Sequence, residues 1–360
     1  MELEGNHPES AVSAHSLCSQ QLRIPDLRPA FADWHQGINA LYEQAKRAVD
    51  ARLEGLIANE RVLVKVKAAD IGLFASGWFP AAPYAVLEAV AFYCVWLFLW
   101  DDAIDGASAS SDGLAAEEYC RQSVAFVKHH LGLDEPGAVE PKAPTRVCGS
   151  FAEVGARICE RCGLAQRHEL FKHLKEYMEA CVTEYRWRLS GKVPTVEQFY
   201  SWRLRTSSVD VMLDLSRILN GISLPEDILE SAELAAMGLS VNKLLILINE
   251  LFSLKKELRD GAYGNLIPIT MRSSSVDLDA AARSVVQDIY NCIRDFDDNA
   301  SILRGTVRRE HGDKVADHLG TLIRAYQAIA TTVLNFSVQS PRYGLLEDRQ
   351  DDGSFVVTLR

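Results

Sequence analysis

No stretch of consecutive apolar residues exceeds the 12 of Ala89 to Trp100, and that run stops at two aspartates. A bilayer-spanning helix needs about 20 apolar residues. The run therefore reads as a helix buried on nearly all sides, and no transmembrane segment is expected. Positive charge is also in deficit, with 38 Lys and Arg against 49 Asp and Glu and a net charge of -11. That balance excludes nonspecific attraction to nucleic acid or an anionic membrane, and an anionic substrate would need metal or local cations. The eight cysteines, at 18, 94, 120, 148, 159, 162, 181 and 292, form neither a disulfide framework nor a zinc pattern. The one CxxC, Cys159 and Cys162, has no second pair and is placed within a helix. The polar, acidic start MELEGNHPES lacks a basic segment followed by an apolar stretch, so a cytoplasmic enzyme is the simplest expectation.

Strand-like alternation is missing too, and no repeat of fixed period is present. Helical spacing fills the chain instead, predicting helices over roughly 33–58, 61–73, 82–107, 114–131, 149–190 with a break near Gly163, 195–220, 225–237, 239–260, 276–304 and 312–337. Residues 1–28 read as a mobile leader, with Pro25 and Pro29 delaying the first helix, 29–345 as one α-helical domain, and 346–360 as a tail. The proline-rich stretch Leu133 to Arg146 is an excursion between helices and not a domain linker. One all-α domain is the economical architecture.

Two clusters carry chemistry, DDAID at Asp101–Asp105 and NELFSLKKE at Asn249–Glu257. Asp101 and Asp105 stand one helical turn apart and project from one face, with Asp102 turned about 100° away. Asn249, Ser253 and Glu257 recur at i, i+4 and i+8, a stripe about 12 Å long on which a short serine lies between longer side chains. Because helical side chains lean toward the N-terminus, all three oxygens can meet one ion. Hard oxygen donors of this kind suit Mg2+, and each cluster reads as half of a magnesium site. Paired aspartates alone decide little, since they recur at Asp297–Asp298 and Asp351–Asp352. What distinguishes these clusters is position: each follows an apolar run, FYCVWLFLW or LLILI, where carboxylates need a partner. Phe98 shares the face of Asp101 and Asp105, and it either lines a cavity or packs the core.

Together the motifs resemble those of class I terpene synthases, whose DDxxD and NSE motifs hold three Mg2+ around a substrate diphosphate. The resemblance covers about residues 30 to 345 and is most similar in length and motif style to fungal sesquiterpene synthases. It implies a single helical bundle enclosing an apolar cavity, with metal ligands Asp101, Asp105, Asn249, Ser253 and Glu257. It also implies diphosphate contacts from Arg342 and Tyr343 of SPRY, and from Arg203 of YSWRLRTSS as the diphosphate-sensing arginine, with Thr206 and Ser207 as linker and effector; Lys256, beside Glu257, suits a further diphosphate contact or is a solvated lysine. Arg205 and Arg217 are the alternatives to Arg203. Asp101, Arg203, Arg342 and Tyr343 are the expected catalytic set. Two departures stand out. Glu250 follows Asn249 where many members have Asp, a change expected to be harmless because it lies off the stripe. Phe336 stands where relatives often carry Trp, and with Phe98 it is expected to border the cavity.

The activity implied is metal-dependent ionisation of farnesyl diphosphate, then carbocation cyclisation ended by proton loss or water capture. A prenyl diphosphate synthase would carry a second DDxxD in place of Asn249, Ser253 and Glu257. A noncatalytic protein binding isoprenoid diphosphates is the third reading, and turnover separates it. The partner is a small allylic diphosphate and not a nucleic acid. DFDD at Asp295–Asp298 spells the acid motif of class II cyclases, but it is flanked by Arg294 and Asn299 and reads as a solvated helix face.

Overall fold

The structure, a computed structural model, describes residues 17–106, 113–259 and 264–359. Thirteen helices of two turns or more are described: α1 Tyr42–Leu56, α2 Glu60–Ala68, α3 Ile71–Trp78, α4 Tyr84–Gly106, α5 Gly113–His130, α6 Phe151–Cys159, α7 Leu164–Ser190, α8 Val196–Thr206, α9 Val209–Leu219, α10 Ala232–Arg259, α11 Leu266–Ser274, α12 Leu278–Glu310 and α13 Asp313–Gln339. They form one bundle around a continuous apolar core, in which α10 packs chiefly on α12 and α13 while α4 contacts α1, α3, α6 and α7. The all-α expectation holds for nearly all of the described chain.

The exception is a pair of short strands. β1, Gln21–Ile24, and β2, Phe355–Thr358, run antiparallel with Leu22 opposite Val357 and Ile24 opposite Phe355. Reading 1–28 as mobile is therefore corrected for its described part, in which Leu17, Leu22, Ile24 and Leu27 are all buried. Likewise 346–360 is no loose tail, because Phe355, Val357 and Leu359 are buried too. A strand of four residues is too short to show alternation above background, and its partner lies at the other end of the chain.

Helix boundaries depart from the predicted ones where local backbone is unusual. The helix expected over 61–73 breaks at Asp70, whose φ of 58° is left-handed and whose side chain accepts from Leu73 N to start α3. The helix expected over 195–220 breaks at Ser208, also left-handed at φ 58°. Conversely, the break expected at 238 does not occur. Gly238 lies inside α10, where a Cβ would stand 3.1 Å from Leu213 Cδ1, so the missing side chain admits α9 to the helix. Gly77 does the same for α3 against α13, a Cβ there lying 2.7 Å from Thr332 Oγ1. The CxxC pair spans a turn and not a helix interior, since α6 ends at Cys159.

By length and composition alone, α4 and α10 are apolar enough to cross a bilayer, which the 12-residue run did not suggest. Each helix extends well beyond its longest unbroken apolar run. In both, 67% of the apolar window is buried inside the bundle, as in core helices.

Candidate active site

The fold brings both motifs to one cavity. Asp101 near the end of α4 and Asn249 in α10 line the same space, about 770 Å³ free of atoms when its opening is included. Its walls are largely aromatic: Phe74 and Trp78 from α3, Tyr93 and Phe98 from α4, Tyr177 from α7 and Phe336 from α13, with Tyr343 beyond. Phe74 stands between the two expected cavity rings, edge-on to Phe98 at 6.0 Å and to Phe336 at 5.4 Å. Trp96 and Trp100 point elsewhere, stacking on each other, with Trp100 Nε1 donating to Ser123.

Around Asp101, Tyr177 OH donates to Oδ1 at 3.4 Å and the Cys181 thiol lies 3.7 Å from the same oxygen. Burial, and then the Asp101 charge, pushes both the phenol and the thiol well above their usual pKa, so both remain protonated donors. The side chain of Asp105 lies outside the described residues.

The second motif sits in a connected polar network. Arg203 in α8 donates from Nε to Glu250 Oε1 at 3.0 Å and from Nη2 to Asn249 Oδ1 at 2.9 Å. Asn249 Nδ2 in turn donates to Tyr343 OH at 3.2 Å. Arg203, Asn249 and Tyr343 are thus in direct sequence. Arg205 instead bonds the Ser201 carbonyl and is exposed, while Arg217 pairs with Glu169, so neither alternative reaches the motif. Ser207 hydroxyl donates to Asn242 Oδ1 at 2.8 Å, and Asn242 Nδ2 donates to the Leu204 carbonyl at 2.8 Å, which braces the break between α8 and α9 from α10. Thr206, Ser207 and Ser208 all line the cavity at this break.

Glu250 lies off the stripe, as expected, and is held in a network of its own. It is 3% exposed, pairs with Arg203, and accepts the backbone N–H of Leu266 at 2.9 Å at the start of α11. Burial raises its pKa, the Arg203 guanidinium pulls it down, and Glu257 raises it again. Burial opposes the charge on Arg203, but Glu250, Glu184 and Glu257 outweigh it and hold that pKa above its ordinary value. Periodicity correctly placed residue 250 off the ligand stripe; only the tertiary partner reveals its work.

Do these residues fit a metal ion? Ser253 Oγ is buried and has no hydrogen-bond partner among the described residues. A buried hydroxyl left unpaired is costly, and a cation between Asn249 and Glu257 would satisfy it. Asn265 Nδ2 holds Glu257 Oε2 at 3.0 Å. Among the described residues no three His, Cys, Asp or Glu cluster as ligands, so an ion here depends on the mixed amide, hydroxyl and carboxylate set. Lys256 lies partly buried between Ser253 and Glu257, and the Arg342 guanidinium sits 5.4 Å from the Phe98 ring centre. The three aspartates of DFDD are exposed on α12 while Phe296 between them is fully buried, and Asp297 accepts from Trp34 Nε1.

An all-helical bundle whose aromatic cavity is lined by one residue from each motif, Asp101 and Asn249, is the arrangement of a class I terpene synthase. Residues 93–295 match terpene synthase family 2, C-terminal metal binding, and the chain belongs to that family. Among similar proteins, the sesquiterpene cyclase hepA of Aspergillus oryzae is 27% identical over 349 residues, covering 94% of this chain and 93% of the relative. Epi-isozizaene synthase of Streptomyces coelicolor is 27% identical over 229 residues, covering 61% and 59%. In fold the chain is similar to linalool/nerolidol synthase of Streptomyces clavuligerus, with TM-score 0.70, 18% identity, and coverage of 84% and 98%. Germacradien-4-ol synthase of Streptomyces citricolor gives TM-score 0.70 at 16% identity, covering 84% and 96%.

Proposed function

We propose that the chain is a sesquiterpene cyclase that ionises farnesyl diphosphate and cyclises the resulting carbocation. The observation that carries this reading is that Asp101, Asn249 and Tyr343 face one aromatic-walled cavity. Its space falls in the range of small-molecule sites, about 300–1,000 Å³. The ions proposed are Mg2+, three with substrate bound, held by Asp101 and Asp105 on one side and by Asn249, Ser253 and Glu257 on the other. When bound, divalent ions supply Lewis-acid stabilisation of the charge that develops on the leaving diphosphate.

The protein's own groups do the rest. The allylic C–O bond breaks heterolytically and its electron pair leaves on diphosphate oxygen. Arg203, Lys256, Arg342 and Tyr343 donate charge-assisted hydrogen bonds that strengthen as that oxygen gains charge. Glu250 pairs with Arg203 and so helps aim its guanidinium at Asn249. The cation stays among the faces of Phe74, Trp78, Tyr93, Phe98 and Phe336, each able to stabilise it electrostatically while excluding water. Alkene carbons attack the cationic centre to form rings, and the last cation is discharged by proton loss or by water. Relatives named sesquiterpene cyclase and epi-isozizaene synthase support the choice of a C15 substrate.

The test is incubation of purified protein with C10, C15 and C20 allylic diphosphates and Mg2+, each with and without isopentenyl diphosphate, with products identified by mass spectrometry. Cyclic C15 products and released diphosphate are expected. Chain-elongated diphosphates, or binding without turnover, would reject this reading.

A further inference from the structure

Past Tyr343 the chain turns at Gly344, with φ 66°, and folds back along α10. Lys255 Nζ donates to the Gly344 carbonyl at 3.2 Å and to Asp348 Oδ2 at 2.6 Å. Farther on, Phe355 of β2 packs edge-on against Phe252 at 5.5 Å, both rings buried. β2 is itself tied to β1, so the segment is anchored at three successive points.

The anchors are interleaved with the ligand stripe. At about 100° per residue, Phe252 lies on the flank of the stripe defined by Asn249, Ser253 and Glu257, and Lys255 lies behind it. One helix thus faces the cavity with its oxygen donors while its other sides are gripped by the returning chain. That chain begins one residue after Tyr343, whose hydroxyl accepts from Asn249. Lys255 is more than a surface ion pair. Its side chain and that of Asp348 are 27% and 18% exposed, and the same ammonium fixes the carbonyl next to Tyr343.

We propose that residues 344–359 are a positioning strap for the diphosphate site, with Lys255 and Asp348 as its positioning residues. The strap fixes two things together: the place of the Arg342–Tyr343 turn and the rotation of α10 that presents Asn249, Ser253 and Glu257. Neither residue touches substrate. They act through Arg342, Tyr343 and the ligand stripe. The inference rests on the proposed function for the identity of the substrate but not for its first measurement, which uses inorganic diphosphate.

The experiment compares the full chain with Lys255→Met, Asp348→Ala and the double variant. Binding of inorganic diphosphate in the presence of Mg2+ is measured by calorimetry, kcat and KM with farnesyl diphosphate, and the midpoint of thermal unfolding for each protein. Each single variant is expected to weaken diphosphate binding about tenfold and to raise KM by a similar factor, with the double variant no worse than the weaker single. Unfolding midpoints should stay within about 2 °C of the parent, because a partly exposed ion pair contributes little to global stability. Diphosphate affinity within about twofold of the parent in both singles, or additive losses in the double, overturns the strap. A loss of affinity that follows a fall in midpoint also overturns it, by reducing the contact to general stability. A parent that binds diphosphate but does not turn over farnesyl diphosphate sinks the substrate reading alone. A parent that binds no diphosphate sinks both.

Discussion

Replacing Glu250 by alanine tests the network more sharply than replacing any ligand. The carboxylate is buried, and it serves both Arg203 in α8 and the N–H of Leu266 at the start of α11. Removing it leaves a guanidinium whose side chain is only 16% exposed without its hydrogen-bonded carboxylate. Stranding one member of a buried pair costs about 3–5 kcal/mol, and an orphaned backbone donor about 1–3 kcal/mol. Both arise from one side chain, so they overlap, and about 4 kcal/mol is a fair expectation. With an unfolding entropy of about 2.1 cal/mol/K per residue, a 360-residue chain gives about 0.76 kcal/mol/K. The midpoint should therefore fall by about 5 °C in calorimetry. Turnover should fall as well, since Arg203 loses the partner that aims it. Glu250→Asp keeps the charge but is one methylene short of reaching both partners, so it should lie between parent and alanine variant. A Glu250→Ala protein that melts within about 1 °C of the parent and retains its kcat would refute the assignment.

Ser253→Ala removes a buried hydroxyl that has no partner among the described residues, so without added metal the variant should be as stable as the parent or more stable by about 1 kcal/mol in urea unfolding, while turnover collapses. Loss of stability with retained activity would mean the hydroxyl bonds within the protein. Arg203→Ala should nearly abolish diphosphate release, whereas Arg205→Ala should be mild; steady-state kinetics in the reverse order would move the sensor to Arg205. Phe74→Ala, Phe98→Ala and Phe336→Ala should still release diphosphate but change the terpene ratios, since a cation over a ring gains about 0.5–2 kcal/mol, or roughly two- to thirtyfold between competing paths. Chromatography showing the parent product at the parent ratio from all three would make these rings ordinary packing. His173 is hydrogen-bonded to Asp214, which raises its pKa, so its stabilising charge is fully present below pH 6.5 and is lost as pH rises through the folded value. Urea unfolding should therefore show stability falling above pH 6.5 in the parent and a flatter profile in His173→Gln; identical slopes would count against the pair.

The proposed ligand stripes could be drawn from the sequence because they depend on helical period alone: Asn249, Ser253 and Glu257 share a face in any α-helix. The two long helices that carry them were legible for the same reason, through LLILI and FYCVWLFLW. What escaped depended on contacts distant in sequence. Glu250 reads as idle until Arg203, 47 residues away, is seen beside it. Phe74 sits in an ordinary apolar stretch, and only the packing of α3 against α4 and α13 makes it a cavity wall. Ser208 and Asp70 adopt left-handed backbone without the glycine that usually marks it. Gly238 showed the opposite failure, where a residue read as punctuation is instead the gap that lets α9 approach.

The pairing of β1 with β2 has a consequence for how the molecule is made. β2 is synthesised after every described helix of the bundle, so Leu22 and Ile24 have no strand partner until those helices have all been made. Until then a nascent chain can assemble its helices yet leave Phe252 uncovered by Phe355. The last seam to close joins the earliest described strand to the latest. A chain clipped before residue 355 would therefore carry every residue proposed for the catalytic site but lack the seam, and its uncovered apolar edge would mark it to chaperones and proteases as unfinished.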